Sequence, residues 1–138
     1  MAGYSGTPLA KKLGFKQGFR TGLVSPPNGF QKELAPLPND VSLSVGGLVK
    51  PLDLIILFAD SQKRLKTEFL KLARKLTQNG MLWIAWPKKA SGVTTDLSEN
   101  LIRDIGLGAG LVDVKVCAIN DVWSGLKFVY RLEDRKSL

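Results

Sequence analysis

The sequence predicts one α/β domain, with a mostly parallel twisted sheet of about five or six strands, flanking helices and a C-terminal antiparallel strand. Three observations lead there. From residue 52 to 119 the patterns alternate strand, helix, strand, helix, strand, the order of a parallel sheet with right-handed crossovers. Two continuous apolar runs, residues 54–59 and 81–86, have strand length and suit strands covered on both faces. The 138 residues, 44% hydrophobic and 23% charged, fill a single core and leave little room for a second domain.

Taken in order, Thr7-Pro8 reads as a helix N-cap with proline at the first helical position, Leu9 and Leu13 share a face, and Gly14 stops the turn. Residues 20–24 form a short strand. Ser25-Pro26-Pro27-Asn28-Gly29 is a turn, and residues 30–35 a short helix ended by Pro36 and Pro38. Residues 41–45 alternate as a half-buried strand does. Residues 52–58 are a central strand. Asp60 and Ser61 can cap the helix in which Leu65, Phe69, Leu72 and Leu76 share a face, with Asn79-Gly80 as its terminator. Residues 81–86 are a buried strand closed by Pro87. Asp96 and Glu99 have capping-box spacing before a helix carrying Leu97, Leu101, Ile102 and Ile105, which ends at residues 106–110. Residues 111–119 are a strand, Asn120-Asp121 a turn, 126–132 a last antiparallel strand and 133–138 a frayed tail. Only residues 46–51 separate the strands at 41–45 and 52–58. A parallel crossover usually takes about a dozen residues or more, so the order of the first strands stays open: an antiparallel early strand, or an extended crossing without a helix.

Composition removes much chemistry. The chain has no histidine, so Ser-His-Asp and Cys-His nucleophile systems and histidine-ligated zinc are excluded in their usual forms. One cysteine, Cys117, makes neither an internal disulfide nor a thiolate metal site. It is expected to be a buried small hydrophobe in a reducing, cytoplasmic setting. No metal is expected. No apolar run approaches membrane-spanning length, and the first residues have no secretory-signal pattern. The net charge of +8 fits RNA, DNA or a small anionic ligand, or general solubility, and exposed tryptophans could instead meet a protein partner. Lys63, Arg64, Lys66, Lys71, Arg74 and Lys75 in one helix could track a phosphate backbone or form a solvated face.

The order of elements resembles the class I S-adenosylmethionine-dependent methyltransferase fold, a Rossmann-like architecture. Leu52-Asp53-Leu54-Ile55-Ile56 and residues 76–82 are similar to the segments leading into two of its central strands. More specifically, the chain resembles a bacterial family known as domain-of-unknown-function family 3052. The likeness is carried by Gly3-Tyr4-Ser5-Gly6-Thr7-Pro8-Leu9, Pro27-Asn28-Gly29-Phe30, residues 81–91 with their Trp-x-x-Trp-Pro-Lys-Lys-x-Ser motif, and Val122-Trp123-Ser124-Gly125-Leu126-Lys127. That resemblance implies a methyltransferase-like fold and no established activity. Methyltransferases of this type hold their cofactor with a glycine-rich loop after the first strand and an acid after the second. Here the first loop carries two prolines, which delete backbone donors, and Val45 is followed by Gly46-Gly47 rather than an acid. No cofactor is therefore expected, and the favoured reading is a binding module for a small anionic ligand or partner, with a degenerate or unusual methyltransferase and a weak RNA-binding protein as alternatives.

Ligands of open α/β sheets sit outside the carboxyl ends of the strands. Residues 25–29, 59–61, 86–91 and 121–125 should meet there. The candidate ligand-binding residues are Asn28, Gly29, Asp60, Trp86, Lys88, Lys89, Ser91, Trp123 and Ser124. Trp86 and Trp123 would form an aromatic wall, or Trp83 and Trp86 would be core residues. Lys88 and Lys89 would neutralise a phosphate or carboxylate, or stand in solvent. The resemblance to methyltransferase-like folds implies that Asp60 sits where they often place a polar catalytic group; it also sits where a helix needs a cap. Asp53 and Asp113 are expected to be structural.

Overall fold

A computed structural model describes residues 7–137. Residues 1–6, which carry the first part of the Gly3 to Leu9 motif and the segment tested for a leader, lie outside the described residues, as does Leu138. The elements are α1 (Leu9–Leu13), β1 (Arg20–Val24), α2 (Phe30–Leu34), β2 (Ser42–Val45), β3 (Leu52–Phe58), α3 (Gln62–Ala73), β4 (Leu76–Pro87), α4 (Glu99–Gly108), β5 (Leu111–Ala118) and β6 (Trp123–Tyr130). They build one six-stranded sheet in the order β2-β1-β3-β4-β6-β5. β2, β1, β3 and β4 run parallel, and β6 is antiparallel to both of its neighbours.

Each face of the sheet carries its own core. Ile55, Leu57, Leu82, Ile84, Leu126 and Phe128 pack under α3 and α4. Leu54, Ile56, Phe58, Trp83 and Ala85 pack under α1 and α2. Successive side chains of a strand point to opposite faces, which is why β3 and the second half of β4 read as unbroken apolar runs. On the second face the Trp83 Nε1–H donates to the Leu13 carbonyl at 2.8 Å, satisfying a fully buried indole.

The first strands are ordered by a crossover without a helix. β2 lies outside β1, parallel to it, and residues 46–51 pass over β1 to enter β3 on its other side. Leu48, 7% exposed, fills the place a crossover helix would cover. It lies directly over Gly22, where an added Cβ would stand 2.5 Å from the Leu48 Cδ1. The Lys75 ammonium donates to the Leu48 carbonyl at 2.9 Å and pins the crossing segment to the end of α3.

Several boundaries differ from those the sequence predicts. α3 ends at Ala73, and Leu76, expected on its apolar face, instead opens β4. Asn79-Gly80 does not stop the helix but lies in an irregularity of β4, where the register moves from Leu52↔Leu76 to Leu54↔Met81. The α4 cap is Ser98, whose Oγ accepts from the Leu101 N–H, and not Asp96. Asp96 instead accepts from the Gln62 N–H at the start of α3, and Ser61 rather than Asp60 caps that helix. β6 begins at Trp123, three residues before the expected start, because its pairing with β4 continues to Pro87↔Trp123. In place of a tail fraying from residue 133, Leu132–Ser137 form a 3-10 turn, with the Arg135 Nε–H donating to the Tyr130 carbonyl. Asp53 and Asp113 are structural as expected, paired with Arg20 and Arg103.

Candidate functional site

The carboxyl ends of β1, β3 and β4 and the start of β6 meet along one rim, as the sequence predicts. The strands hold the rim segments through backbone bonds: Ala59 N–H to Ala85 O at 2.9 Å, and Lys88 N–H to Val122 O at 2.8 Å. At the end of β1, Ser25 takes a left-handed backbone, φ 56°, and its Oγ accepts from the Arg64 guanidinium at 2.8 Å. A non-glycine residue in that region is strained, and such residues concentrate at functional rims.

On the α1/α2 face of the rim lies an open crevice of about 360 Å³. Pro27, Asn28 and Glu33 line one side and residues 120–123 the other. Asn120 organises it. Its Oδ1 accepts from the backbone N–H groups of Val122 and Trp123, both at 2.9 Å, and its Nδ2 donates to the Glu33 Oε1 at 2.9 Å. Trp123 is the half-buried end of an edge-to-face aromatic row, 5.1 Å from Phe58, which is in turn 4.7 Å from Phe30. The lining is rich in acceptors: two carboxylates, Glu33 and Asp121, two amides, Asn28 and Asn120, and no basic residue.

The predicted site residues separate into groups. Asn28 and Trp123 line the crevice, and Gly29, φ 83°, turns the chain from Asn28 into α2. Trp86 and Trp123 form no common wall. Trp86 packs into the α3/α4 core at 8% exposure, whereas Trp123 pairs with Pro87, the next residue along β4, and belongs to the opposite face. Ser124 pairs with Trp86 and shares its face, away from the crevice. Lys88 and Lys89 stand in the rim turn, half-buried and exposed respectively, and neither lines the crevice. The Ser91 hydroxyl is spent within that turn, donating to the Lys88 carbonyl and accepting from the Val93 N–H. Asp60 is exposed at the rim, and its carbonyl accepts from the Thr95 hydroxyl. The residues that sequence reading missed are Glu33 and Asn120. Glu33 gave no motif, and Asn120 read only as a turn former, although asparagine at a turn is also where backbone donors are gathered. Lys63, Arg64, Lys66 and Lys71 are exposed on α3, and Arg74 is exposed just after it.

A parallel sheet with helices on both faces, closed by an antiparallel hairpin whose last strand is inserted beside β4, defines a methyltransferase-like Rossmann fold. Solved structures agree. A TehB-like SAM-dependent methyltransferase from Corynebacterium glutamicum superposes with a TM-score of 0.58 at 10% identity, over 94% of this chain and 91% of that one. A SAM-dependent methyltransferase from Aquifex aeolicus gives 0.62 at 15% identity, over 87% and 86%. A possible exported protein from Bordetella parapertussis gives 0.65 at 10% identity, where 88% of this chain spans only 65% of that one. Likeness at this identity shows the fold. No protein-family model matches the chain, so the likeness to family 3052 rests on the quoted motifs, and no curated protein matches it. Among the described residues no helix is long and apolar enough to cross a membrane.

Proposed function

We propose that this chain is a binding module on a methyltransferase-like scaffold, of the family 3052 kind, whose rim takes a small ligand joining a planar, hydroxyl- or amine-bearing part to an anionic end. The observation that carries this reading is the crevice of about 360 Å³ between Asn28 and Trp123, a volume at the low end of small-molecule sites. Glu33, Asp121 and Asn28 offer acceptors to hydroxyls and ring amines, and Trp123 offers an apolar edge. The anionic end belongs to Lys88 and Lys89, whose turn is tied to the crevice wall through the bond from Lys88 N–H to Val122 O. A nucleotide has this combination of groups.

The test is calorimetry with adenosine and adenosine 5′-monophosphate. The nucleotide is expected to bind more tightly than the nucleoside, and Lys88→Ala/Lys89→Ala to remove that difference while changing stability by no more than about 0.5 kcal/mol. Trp123→Leu is expected to weaken both. Absence of binding by either compound, or a double variant with unchanged preference, overturns the reading. The structural neighbours support a second reading, an unusual methyltransferase. Against it stands the loop after β1, where Pro26 and Pro27 supply no N–H groups. S-adenosylmethionine added in the same titration is expected to bind weakly; a micromolar Kd would favour methyl transfer.

A further inference from the structure

We propose that the α1 side of the β5–β6 hairpin is a second anion site, in which Lys12, Lys115 and Lys127 hold a soluble molecule bearing a polyphosphate group. It goes beyond the rim reading and does not depend on it.

The placement of the lysines carries the inference. Lys115 and Lys127 stand directly opposite each other on adjacent antiparallel strands. Like charges in that position repel and destabilise a sheet. A bulge brings them together: Asp113 pairs with Phe128, and the register then shifts so that Lys115, rather than Val114, meets Lys127. An irregularity that replaces a neutral neighbour by a second cation re-aims a side chain at a local cost in repulsion. A third cation arrives from α1. The Lys12 ammonium donates to the Ala118 carbonyl at 3.0 Å, and the Lys115 ammonium donates to the Lys12 carbonyl at 3.2 Å. Each ammonium has three donors, so these bonds leave donors available. Lys127 lies 5.7 Å from the centre of the Trp83 ring, on the same face.

No anion offsets these charges. None of the three forms an ion pair among the described residues. Glu33 is the first acidic residue of the chain, so neither α1 nor the segment leading to β1 can supply one. Burial holds the Lys127 ammonium below its ordinary value, and Lys115 and Lys16 push it the same way. A bound polyphosphate relieves that repulsion, which makes occupancy favourable for the fold as well as for the ligand.

Inorganic tripolyphosphate is the probe. Calorimetry with the full chain is expected to show saturable binding that weakens as salt is raised. Lys115→Gln/Lys127→Gln is expected to bind roughly tenfold more weakly or worse, the loss that charge-assisted contacts carry. Lys88→Ala/Lys89→Ala removes the rim lysines; saturable tripolyphosphate binding is expected to persist in it and to be lost when Lys115→Gln/Lys127→Gln is added, which separates this site from the rim. The unliganded glutamine variant loses the repulsion together with the Lys115 bond to the Lys12 carbonyl and the Lys127 contact with Trp83, so it should melt close to the parent. If it fails to fold, Lys115→Gln alone replaces it. A second readout is Cys117, on the same strand as Lys115: burial pushes its thiol up and Lys12, Lys115 and Lys127 partly offset this, so tripolyphosphate, by screening those lysines, should slow its alkylation further. Vesicles of phosphatidic acid in phosphatidylcholine form a parallel arm. Absence of saturation by tripolyphosphate, unchanged affinity on introducing Lys115→Gln/Lys127→Gln, or binding to vesicles alone overturns the proposal.

Discussion

Replacing Gly22 and Leu48 by alanine, singly and together, measures how far one side chain stands in for a crossover helix. Leu48 is 7% exposed and packs over β1. Truncating it forfeits its burial and leaves a hollow near the surface, so the loss falls at the low end of the usual range for buried leucines, about 2–3 kcal/mol. Gly22→Ala gains up to about 1 kcal/mol from reduced backbone freedom. Against that, the new Cβ would stand 2.5 Å and 2.7 Å from the Leu48 methyl carbons, and overpacking costs about 1–3 kcal/mol. The net is a loss of about 1–2 kcal/mol. In the Leu48→Ala background the same Cβ enters vacated space, and the change becomes neutral or stabilising by up to about 1 kcal/mol. The two substitutions should therefore couple by about 1–3 kcal/mol. Urea denaturation followed by circular dichroism on the four proteins closes the cycle. Additivity within about 0.5 kcal/mol would show that Leu48 and Gly22 do not share the space described here.

Two further outcomes follow from packing and burial. Gly106→Ala should destabilise by about 1–2 kcal/mol in thermal melts, despite the better helix propensity of alanine. Its Cβ would enter the ring of Phe128, which is itself held edge-on against Phe69 at 5.1 Å; a stabilised variant would refute this. Tyr130 donates its hydroxyl to the Ala73 carbonyl at 2.6 Å, and burial raises the phenol above its ordinary value of 10.0. The folded state then keeps its proton longer than the unfolded one, so this contribution is complete below about pH 10 and is lost as the pH rises further. Stability measured from pH 8 to 11 should fall more steeply in the parent than in Tyr130→Phe, and parallel curves would contradict the assignment.

The parts of the fold that were legible in the sequence are those where burial is continuous or a breaker is strong. β3 reads directly from its apolar run, and α1 stops at Gly14, which adopts φ 94°. The parts that were misread are those where tertiary context overrides a local signal. Asn79-Gly80 has the chemistry of a helix stop, yet β3 captures the chain from Leu76 onward. Asp96 has capping spacing, but its carboxylate serves the neighbouring helix while Ser98 does the local work. At the rim, the convergence of four segments was readable because it follows from strand polarity. Which tryptophan faces the crevice was not, since one step along a strand exchanges the faces and neither Trp86 nor Trp123 carries a mark of its parity. Cys117, expected to be buried, is half-buried, because β5 is the edge strand of the sheet and no further strand covers its outer side.

The segment from β4 to α4 carries a mechanical consequence. It leaves the sheet at Lys88, where the Ser91 hydroxyl ties it back to the Lys88 carbonyl. It is then fastened across the rim, with the Thr95 hydroxyl on the Asp60 carbonyl and the Asp96 carboxylate on the Gln62 N–H. Two residues later it becomes the cap of α4. The strand bearing the rim lysines is thus laced to the first turns of both large helices by short bonds, like a strap through two buckles. Displacing the turn that carries Lys88 and Lys89 would therefore strain two helix ends at once.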